Sequence, residues 1–413
     1  MSNVGTTLKA MGRSHEAESW WWKAIRLRPV YWDATVSYFF SRLLHVLYFL
    51  IQDNLLAALC APSDRSRTGQ STNPRYEDAL FVCEFVQSQV LDANGDFLME
   101  VPLGQRHRVQ NLLYTNGSLR YILDRPDSRS SAISLYLKAL ELFMRPFKPR
   151  TDSEAYSAVD VVISVCVAGL LASAGPNTPL ASELAQALGI SDSSRFSSRM
   201  LEQSFNVLDA VHNAGPRLID TLLRMGGGIL PMTLLFPDQV SRLPSLLFAS
   251  YAGVLPGLFD KAAWDSQEMT LPPDVPHARR MTSTVLLTLA RVFQHVSTTS
   301  QHTLSIKGTP VRASTSMVLL FYYLALAIYP SPATCNNMGI ILSTVSVSTL
   351  TTGGEGQQEV VNGQVLANAY YKKGLTQDGS HPHLLTNLGS LLKDQGKIDE
   401  AIRWVTMCLR YCR

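Results

Sequence analysis

Three asparagines share one local setting: Asn3-Val4-Gly5, Asn337-Met338-Gly339 and Asn387-Leu388-Gly389. A primary amide carries both a donor and an acceptor, so it can pair with a peptide backbone whatever that peptide's side chains are. If the three positions recur on equivalent helices, they stack into a ladder that holds an extended chain. Groupings that would do catalysis are weaker. Gly226-Gly227-Gly228 could cradle a phosphate, but no Lys-Ser/Thr follows and no clear strand precedes it, which favours a flexible loop. His381-Pro382-His383 offers two imidazoles without an accompanying carboxylate or thiolate, short of a metal-ligand set. The six cysteines form no C-x-x-C pair; Cys408 and Cys412 lie four apart on one helix face, and buried thiols in a reducing compartment account for them. No G-x-S-x-G or comparable motif organises the Ser, His and Asp residues. The sequence thus nominates Asn3, Asn337 and Asn387 as a peptide-binding ladder, and no catalytic, cofactor-binding or metal residue.

A ladder requires repeated scaffolds, and the two ends of the chain supply them. The start reads Asn3-Val4-Gly5, Leu8-Lys9, Gly12-Arg13, Glu16-Ala17, Trp20-Trp21. The end reads Asn387-Leu388-Gly389, Leu392-Lys393, Gly396-Lys397, Glu400-Ala401, Trp404-Val405, with every offset preserved. Val4/Leu388 and Leu8/Leu392 stand four apart and share a face of a first helix. Gly5/Gly389 marks a close crossing by a second helix, and Gly12/Gly396 ends the first helix in the left-handed conformation that glycine tolerates. Ala17/Ala401 lets the second helix pack tightly, Trp21 fills the space beyond, and Pro29 falls just past the helix end. Ala367 precedes Ala401 by 34 residues, and Tyr371 precedes Val405 by 34, the tetratricopeptide period. Of Trp20-Trp21-Trp22, one or two rings must face the core, the remainder packing on the next repeat or lying exposed.

The expected architecture is therefore all-α, a tetratricopeptide-type helical-hairpin solenoid with a degenerate or inserted helical middle region. Residues 1–60 hold an N-terminal repeat and a following helix. Residues 75–150 hold degenerate repeat helices, one over 132–143 (AISLYLKALELF) and a weaker one over 76–86. Residues 151–311 read as apolar helices, either degenerate repeats or an insertion, with three glycines and three prolines between 226 and 244 that exclude a long helix there. Residues 312–413 hold C-terminal repeats, interrupted at 343–363 by a Ser/Thr/Gly-rich, flexible insertion. Residues 62–74 read as a surface loop.

Composition narrows the function classes. Of 413 residues, 46% are hydrophobic and 17% charged, which excludes general disorder. The net charge of +3 is scattered and gives no nucleic-acid surface. Lys9, Arg13, Glu16 and Glu18 interrupt any signal-peptide core. Three apolar stretches raise the question of a membrane: 36–60 is broken by Arg42, His45 and Asp53, while 161–174 and 317–328 fall short of the ~20 residues a span needs. The expectation is no membrane span, a cytoplasmic or nuclear setting, protein or extended-peptide partners, and room for homo-oligomers.

The tail HPHLLTNLGSLLKDQGKIDEAIRW at 381–404 resembles the tetratricopeptide region of protein O-linked N-acetylglucosamine transferases, and 3–29 is a second match. The interrupted repeats resemble fungal members more than animal ones. The resemblance covers residues 1–32 and 320–413, with weaker cover over 76–145. It implies the substrate-recognition arm of an enzyme that moves N-acetylglucosamine from its UDP-sugar to Ser or Thr hydroxyls. That family's catalytic region, a two-lobed α/β glycosyltransferase, follows the repeats, whereas this sequence stops at Arg413 at the end of a repeat. No catalytic or UDP-binding residue carries over, and a product truncated before the catalytic domain is expected. The rival reading is a non-catalytic adaptor unrelated to glycosylation.

Overall fold

The computed structural model describes residues 4, 7–8, 10–27, 76–92, 97–98, 106–124, 128–144, 157–174, 179–190, 207–248, 274–299, 303–306, 309–346, 348–352 and 358–411. These are predominantly helical. The stretches 36–60 and 62–74 and the residue Asn3 lie outside them. The chain forms two compact units, Met1–Ala139 and Leu140–Arg413.

The first unit holds α1 (Ser14–Leu27), α2 (Tyr76–Val90), α3 (Arg106–Leu123) and most of α4 (Ser128–Met144). Before α1 the chain turns at Gly12, φ +77°, and the Arg13 amide donates to the Leu8 carbonyl at 2.9 Å. Ala17 and Trp21 are fully buried, four apart on the inner face of α1. Trp22 sits half-buried, its ring centroid 5.8 Å from Phe81 and 5.3 Å from Phe85 of α2, and Lys23 Nζ lies 4.9 Å from the Trp20 ring. The apolar face of α2 (Ala79, Val82, Cys83, Val86 and Val90) is buried, and α2 packs on α3. In α3, Gly117 has room for no more than a hydrogen: a side-chain carbon there would sit 2.8 Å from Cε1 of Tyr136 and 3.2 Å from the Ala132 carbonyl of α4.

The second unit is built around two helices, α5 (Ala158–Ala174) and, later in the chain, α11 (Thr315–Ile328). Every residue of α11 from Ser316 to Ile328 is buried. So is α5 from Asp160 to Leu170. Apart from Asp160, Ser164 and Ser316, both stretches are apolar on all faces, the pattern of helices enclosed by other elements. No helix among the described residues is long and apolar enough to cross a membrane. Around this pair lie α6 (Pro179–Ala187), α7 (Val207–Ala214), α8 (Pro216–Met225), α9 (Pro237–Phe248) and α10 (Asp274–Thr299). Helix α10 packs along α11, with Phe293 stacked on Phe321 at 5.3 Å and Ser283 Oγ donating to the Ala325 carbonyl at 3.1 Å.

One reading of this middle region needs correction. Gly226-Gly227-Gly228, expected as a flexible loop, ends α8 in an ordered turn: the Gly228 amide donates to the Leu223 carbonyl at 2.7 Å, with Gly227 and Gly228 at φ +65° and +93°. As expected, no long helix runs through 226–244: residues 226–236 are not helical, and the next helix begins only at Pro237. Pro237 opens α9, where its missing N–H has no partner to lose, and Pro244 is buried inside the same 12-residue helix.

Between α8 and α9 the chain runs without regular structure, and Thr233, Leu234 and Leu235 are buried. Buried backbone groups without a ladder need side-chain partners. Two tyrosines meet that need. Tyr323 Oη donates to the Thr233 carbonyl at 3.1 Å and accepts from the Leu235 amide at 3.2 Å, and Tyr370 Oη donates to the Leu235 carbonyl at 2.8 Å. Gly169 of α5 makes the close approach feasible, since a side-chain carbon there would lie 2.2 Å from Thr233 Cγ2.

The C-terminal part is a succession of helices: α12 (Pro332–Ser343), α13 (Gly363–Gln377), α14 (Pro382–Asp394) and α15 (Ile398–Tyr411). The starts of α12, α13 and α14 are capped. Ser331, Asn362 and His381 accept from the amides of Thr334, Val365 and Leu384. Pro332 and Pro382 occupy first turns. Helices α12 and α13 run antiparallel, since the positions of Gly339 and Gly374 abut Tyr371 and Cys335 respectively. Helices α14 and α15 do the same: Gly389 abuts Val405, and Cys408 Sγ lies 3.6 Å from the Pro382 carbonyl. Helix α14 also packs on both α12 and α13. Gly396, at φ +75°, ends α14, with the Lys397 amide donating to the Leu392 carbonyl at 2.9 Å, the same bond that joins Arg13 to Leu8.

The structure adds strands that the sequence reading lacks. Thr303–Ile306 (β1) and Thr309–Arg312 (β2) pair antiparallel. The segment 343–363, expected to be flexible, carries a second hairpin of Ser348–Thr352 (β3) and Gln358–Asn362 (β4), with Thr349 opposite Val361 and Leu350 opposite Val360. Its Thr- and Val-rich composition suits a pleated ribbon better than a linker.

Candidate functional site

The asparagine positions sit on α12 and α14, each two residues before the glycine at a helix crossing. Asn387 is half-buried and its Nδ2 donates to Oδ1 of Asn336 at 2.8 Å, so the two first helices are joined by an amide pair. Asn336, the neighbour of the residue singled out by sequence, is the buried partner. Asn337 is half-buried beside it and makes no side-chain hydrogen bond within the described residues. The expected ladder thus has two described members, Asn337 and Asn387, on adjacent helices, and Asn387 is already held by Asn336 rather than turned wholly to water.

A second polar surface lies in the first unit and escaped the sequence reading. A groove of about 710 Å³ runs between α2, α3 and α4. Its floor is a connected chain: Asn116 Nδ2 donates to Gln87 Oε1 at 2.8 Å, Arg120 Nε donates to Asn116 Oδ1 at 3.0 Å, and Arg120 Nη2 meets Glu84 Oε1 at 2.5 Å. Asn116 is 1% exposed, so its amide is fixed by burial as well as by its two partners. Ser131 and Ser134 of α4 line the opposite side. The only signal in the sequence was the four-residue spacing of Asn116 and Arg120 on one helix face, which does not distinguish a groove floor from any solvated face.

The groups with catalytic potential resolve into structural roles. Asp160 Oδ2 accepts from the Ser157 amide and hydroxyl, each at 3.0 Å, while the Asp160 amide donates to Ser157 Oγ at 3.2 Å: a reciprocal cap on the start of α5. His212 Nδ1 lies 3.0 Å from the same carboxylate oxygen. The carboxylate therefore stands between serine and histidine, whereas activating a serine requires the imidazole to stand between serine and carboxylate. Burial pushes the Cys166 thiol up to about 12, against a smaller opposing effect of Thr233, and pushes the Cys335 thiol up to about 11, so neither supplies a thiolate nucleophile near neutral pH. His381 uses Nδ1 to accept the Leu384 amide at 3.4 Å, and its ring stands 5.8 Å from His383. Among the described residues no three His, Cys, Asp or Glu side chains gather as a metal site.

The carboxamides of the groove floor, Asn116 and Gln87, are bonded to each other, as are Asn387 and Asn336 on the α12–α14 face, and all four stand on helices rather than loops. No protein-family model matches the chain, and no curated protein matches it either.

Proposed function

We propose that this chain is a protein-interaction scaffold of tetratricopeptide type, binding extended peptide segments along its first helices. The observation that carries the reading is one packing arrangement used three times. In α3–α4, α12–α13 and α14–α15 a glycine of the first helix faces the residue four places after a buried alanine of the second: Gly117 faces Tyr136 after Ala132, Gly339 faces Tyr371 after Ala367, and Gly389 faces Val405 after Ala401. Ala17 and Trp21 of α1 keep the same spacing and the same burial. Such a unit cannot bury its apolar face alone and is stabilised by stacking on its neighbours.

The resemblance of 381–404 to protein O-linked N-acetylglucosamine transferases makes the arm that recognises substrate proteins the preferred role, with a glycosylation-independent adaptor as the alternative. The test is a titration with an extended Ser/Thr-rich peptide, run beside a thermal melt. Asn337→Ala removes up to two unengaged hydrogen-bonding groups at about 0.5–1.5 kcal/mol each, so binding weakens roughly threefold to a hundredfold with the melt unchanged. Asn387→Ala also strands the buried Asn336 amide and lowers both binding and stability, the latter by about 1 kcal/mol. Unchanged peptide affinity in both variants would remove the ladder from the reading.

A further inference from the structure

We propose that a cleft beside the last turn of α11 binds the α-carboxylate of a small apolar amino acid, free or as the last residue of a polypeptide. The cleft measures about 250 Å³ and is walled by residues of α9, α10, α11 and α13, all within the second unit. That is below the roughly 300–1,000 Å³ of sites for drug-sized ligands and suits a single residue. Two cations reach it from different helices, Arg279 of α10 and Lys373 of α13. Arg279 is half-buried, with its Nε and Nη2 shut off from water, and Lys373 is exposed. Among the described lining residues there is no carboxylate, so the lining carries two positive charges and no negative one. A guanidinium fork and an ammonium beside apolar walls favour an anion, since their field is screened less there than in open water. Only the position of the Arg279 charge matters here, whatever protein group also holds it.

Another wall fixes what else the anion must carry. Leu326 to Tyr329 are the end of α11 and its cap. The helical partners of the Leu326 and Ile328 carbonyls would be the amides of residues 330 and 332, and both are proline. This wall is therefore rich in acceptors and holds the negative end of the helix dipole, which disfavours a phosphate dianion and suits an N–H. Nor does α9 offer phosphate a free N-terminus: the helix opens with Pro237, and the Phe236 amide already donates to Gln239 Oε1 at 2.8 Å. An α-carboxylate with its neighbouring N–H meets both demands, and Val240, Ile328 and Pro330 give its side chain an apolar bed. None of these residues belongs to the asparagine pairs, so the inference stands whether or not the α12–α14 face holds a peptide.

A ligand-observed NMR titration of the full chain with N-acetyl-leucine reads the site. The expected dissociation constant is on the order of 0.1–1 mM, in keeping with a ligand of about a dozen non-hydrogen atoms. N-acetyl-leucinamide keeps everything but the charge and should bind at least about tenfold more weakly. Lys373→Met should weaken N-acetyl-leucine roughly threefold to tenfold and leave the thermal melt in place, because the ammonium is exposed. Free leucine separates the two sources: tighter binding of the acetylated form assigns a chain terminus, tighter binding of leucine the free amino acid. No saturation by either acid at about 10 mM overturns the proposal and leaves two cations that serve only the end of α11. So does equal affinity for acid and amide, indifference to Lys373→Met, or inorganic phosphate that competes as well as the acid.

Discussion

A methyl group added at Gly339 tests the packing on which the repeat reading rests. In Gly339→Ala the new carbon would sit 2.3 Å from Cε1, 2.6 Å from Cζ and 2.7 Å from Cδ1 of Tyr371. Ordinary carbon contacts lie near 3.5–4.0 Å, so the ring must retreat by about 1 Å or the helices must part. Tyr371 is 2% exposed and has no open side to retreat into. Overpacking of this kind costs about 1–3 kcal/mol, and three ring atoms in conflict place the cost at the upper end. Replacing glycine by alanine inside a helix recovers about 1 kcal/mol. The net expectation is a loss of about 2 kcal/mol. Gly389→Ala makes the contrast: its carbon would meet one severe neighbour, Val405 Cγ2 at 2.7 Å, on a side chain 42% exposed and able to swing outward, so the helix gain and the steric cost nearly cancel. Because the chain has two compact units, native-state hydrogen exchange on the amides of α12–α13 and α14–α15 is the appropriate assay. Tyr371→Leu should cost at least ~1 kcal/mol less in the Gly339→Ala background than in the parent chain. Equal, small effects of both alanines, or additivity with Tyr371→Leu, would refute the packing argument.

Tyr323→Phe deletes the hydroxyl that serves both the Thr233 carbonyl and the Leu235 amide, and it should lower the stability of the second unit by about 2–3 kcal/mol, against about 1–2 for Tyr370→Phe, which strands one carbonyl; denaturant titration ranks the two. Alkylation at pH 8 should label Cys408 before Cys166 and Cys335, since burial raises both buried thiols to about 12 and 11 and leaves almost no thiolate until the pH passes those values; peptide mapping after a short iodoacetamide pulse reads the order, and early labelling of Cys166 contradicts the packing around it. The purified 413-residue chain should transfer no sugar from UDP-N-acetylglucosamine to a Ser/Thr peptide, because the described units offer helices rather than a nucleotide-binding α/β sheet; clear turnover would reject the scaffold reading.

How much of this was legible depended on spacing. The α14–α15 pair was readable because Gly389 and Ala401 stand 12 residues apart; the same spacing joins Gly5 to Ala17, but Gly5 lies outside the described residues. In α3–α4 the same relation holds between Gly117 and Ala132 at 15 residues, so the second helix was recognised while its partner was not. In α12–α13 the hairpin of β3 and β4 stretches the separation of Gly339 and Ala367 to 28 residues. A packing relation survives a longer connection, whereas a period read along the chain does not. The site suffered from a finer ambiguity. Asn336 and Asn337 are neighbours about 100° apart on one helix, and nothing in the sequence tells which of them turns toward Asn387. The middle region was opaque for a different reason. A helix buried on all faces, such as α11, has no polar side and hence no period, and the partners of the buried 233–235 backbone lie 88 to 135 residues away.

Those tyrosine bonds bear on how the proposed binding face is held. Tyr370 belongs to α13, yet its hydroxyl reaches the Leu235 carbonyl, and its ring lies 6.4 Å from that of Tyr323 on α11. Helix α12 packs on α11, and α13 packs on α9. The α12–α13 hairpin is therefore an outgrowth of the second unit's core and not a tail strung after it. Asn336 and Asn337 inherit the rigidity of that core. Helix α14 packs on α12, α13 and α15, and α15 rests on α14. Apolar support thus declines from α12 to α15, and local opening should become easier in the same order. The amide pair between Asn336 and Asn387 joins the well-supported helix to the less supported one. A peptide that bridged Asn337 and Asn387 would do the same from outside, so ligand binding should slow exchange in α14 more than in α12.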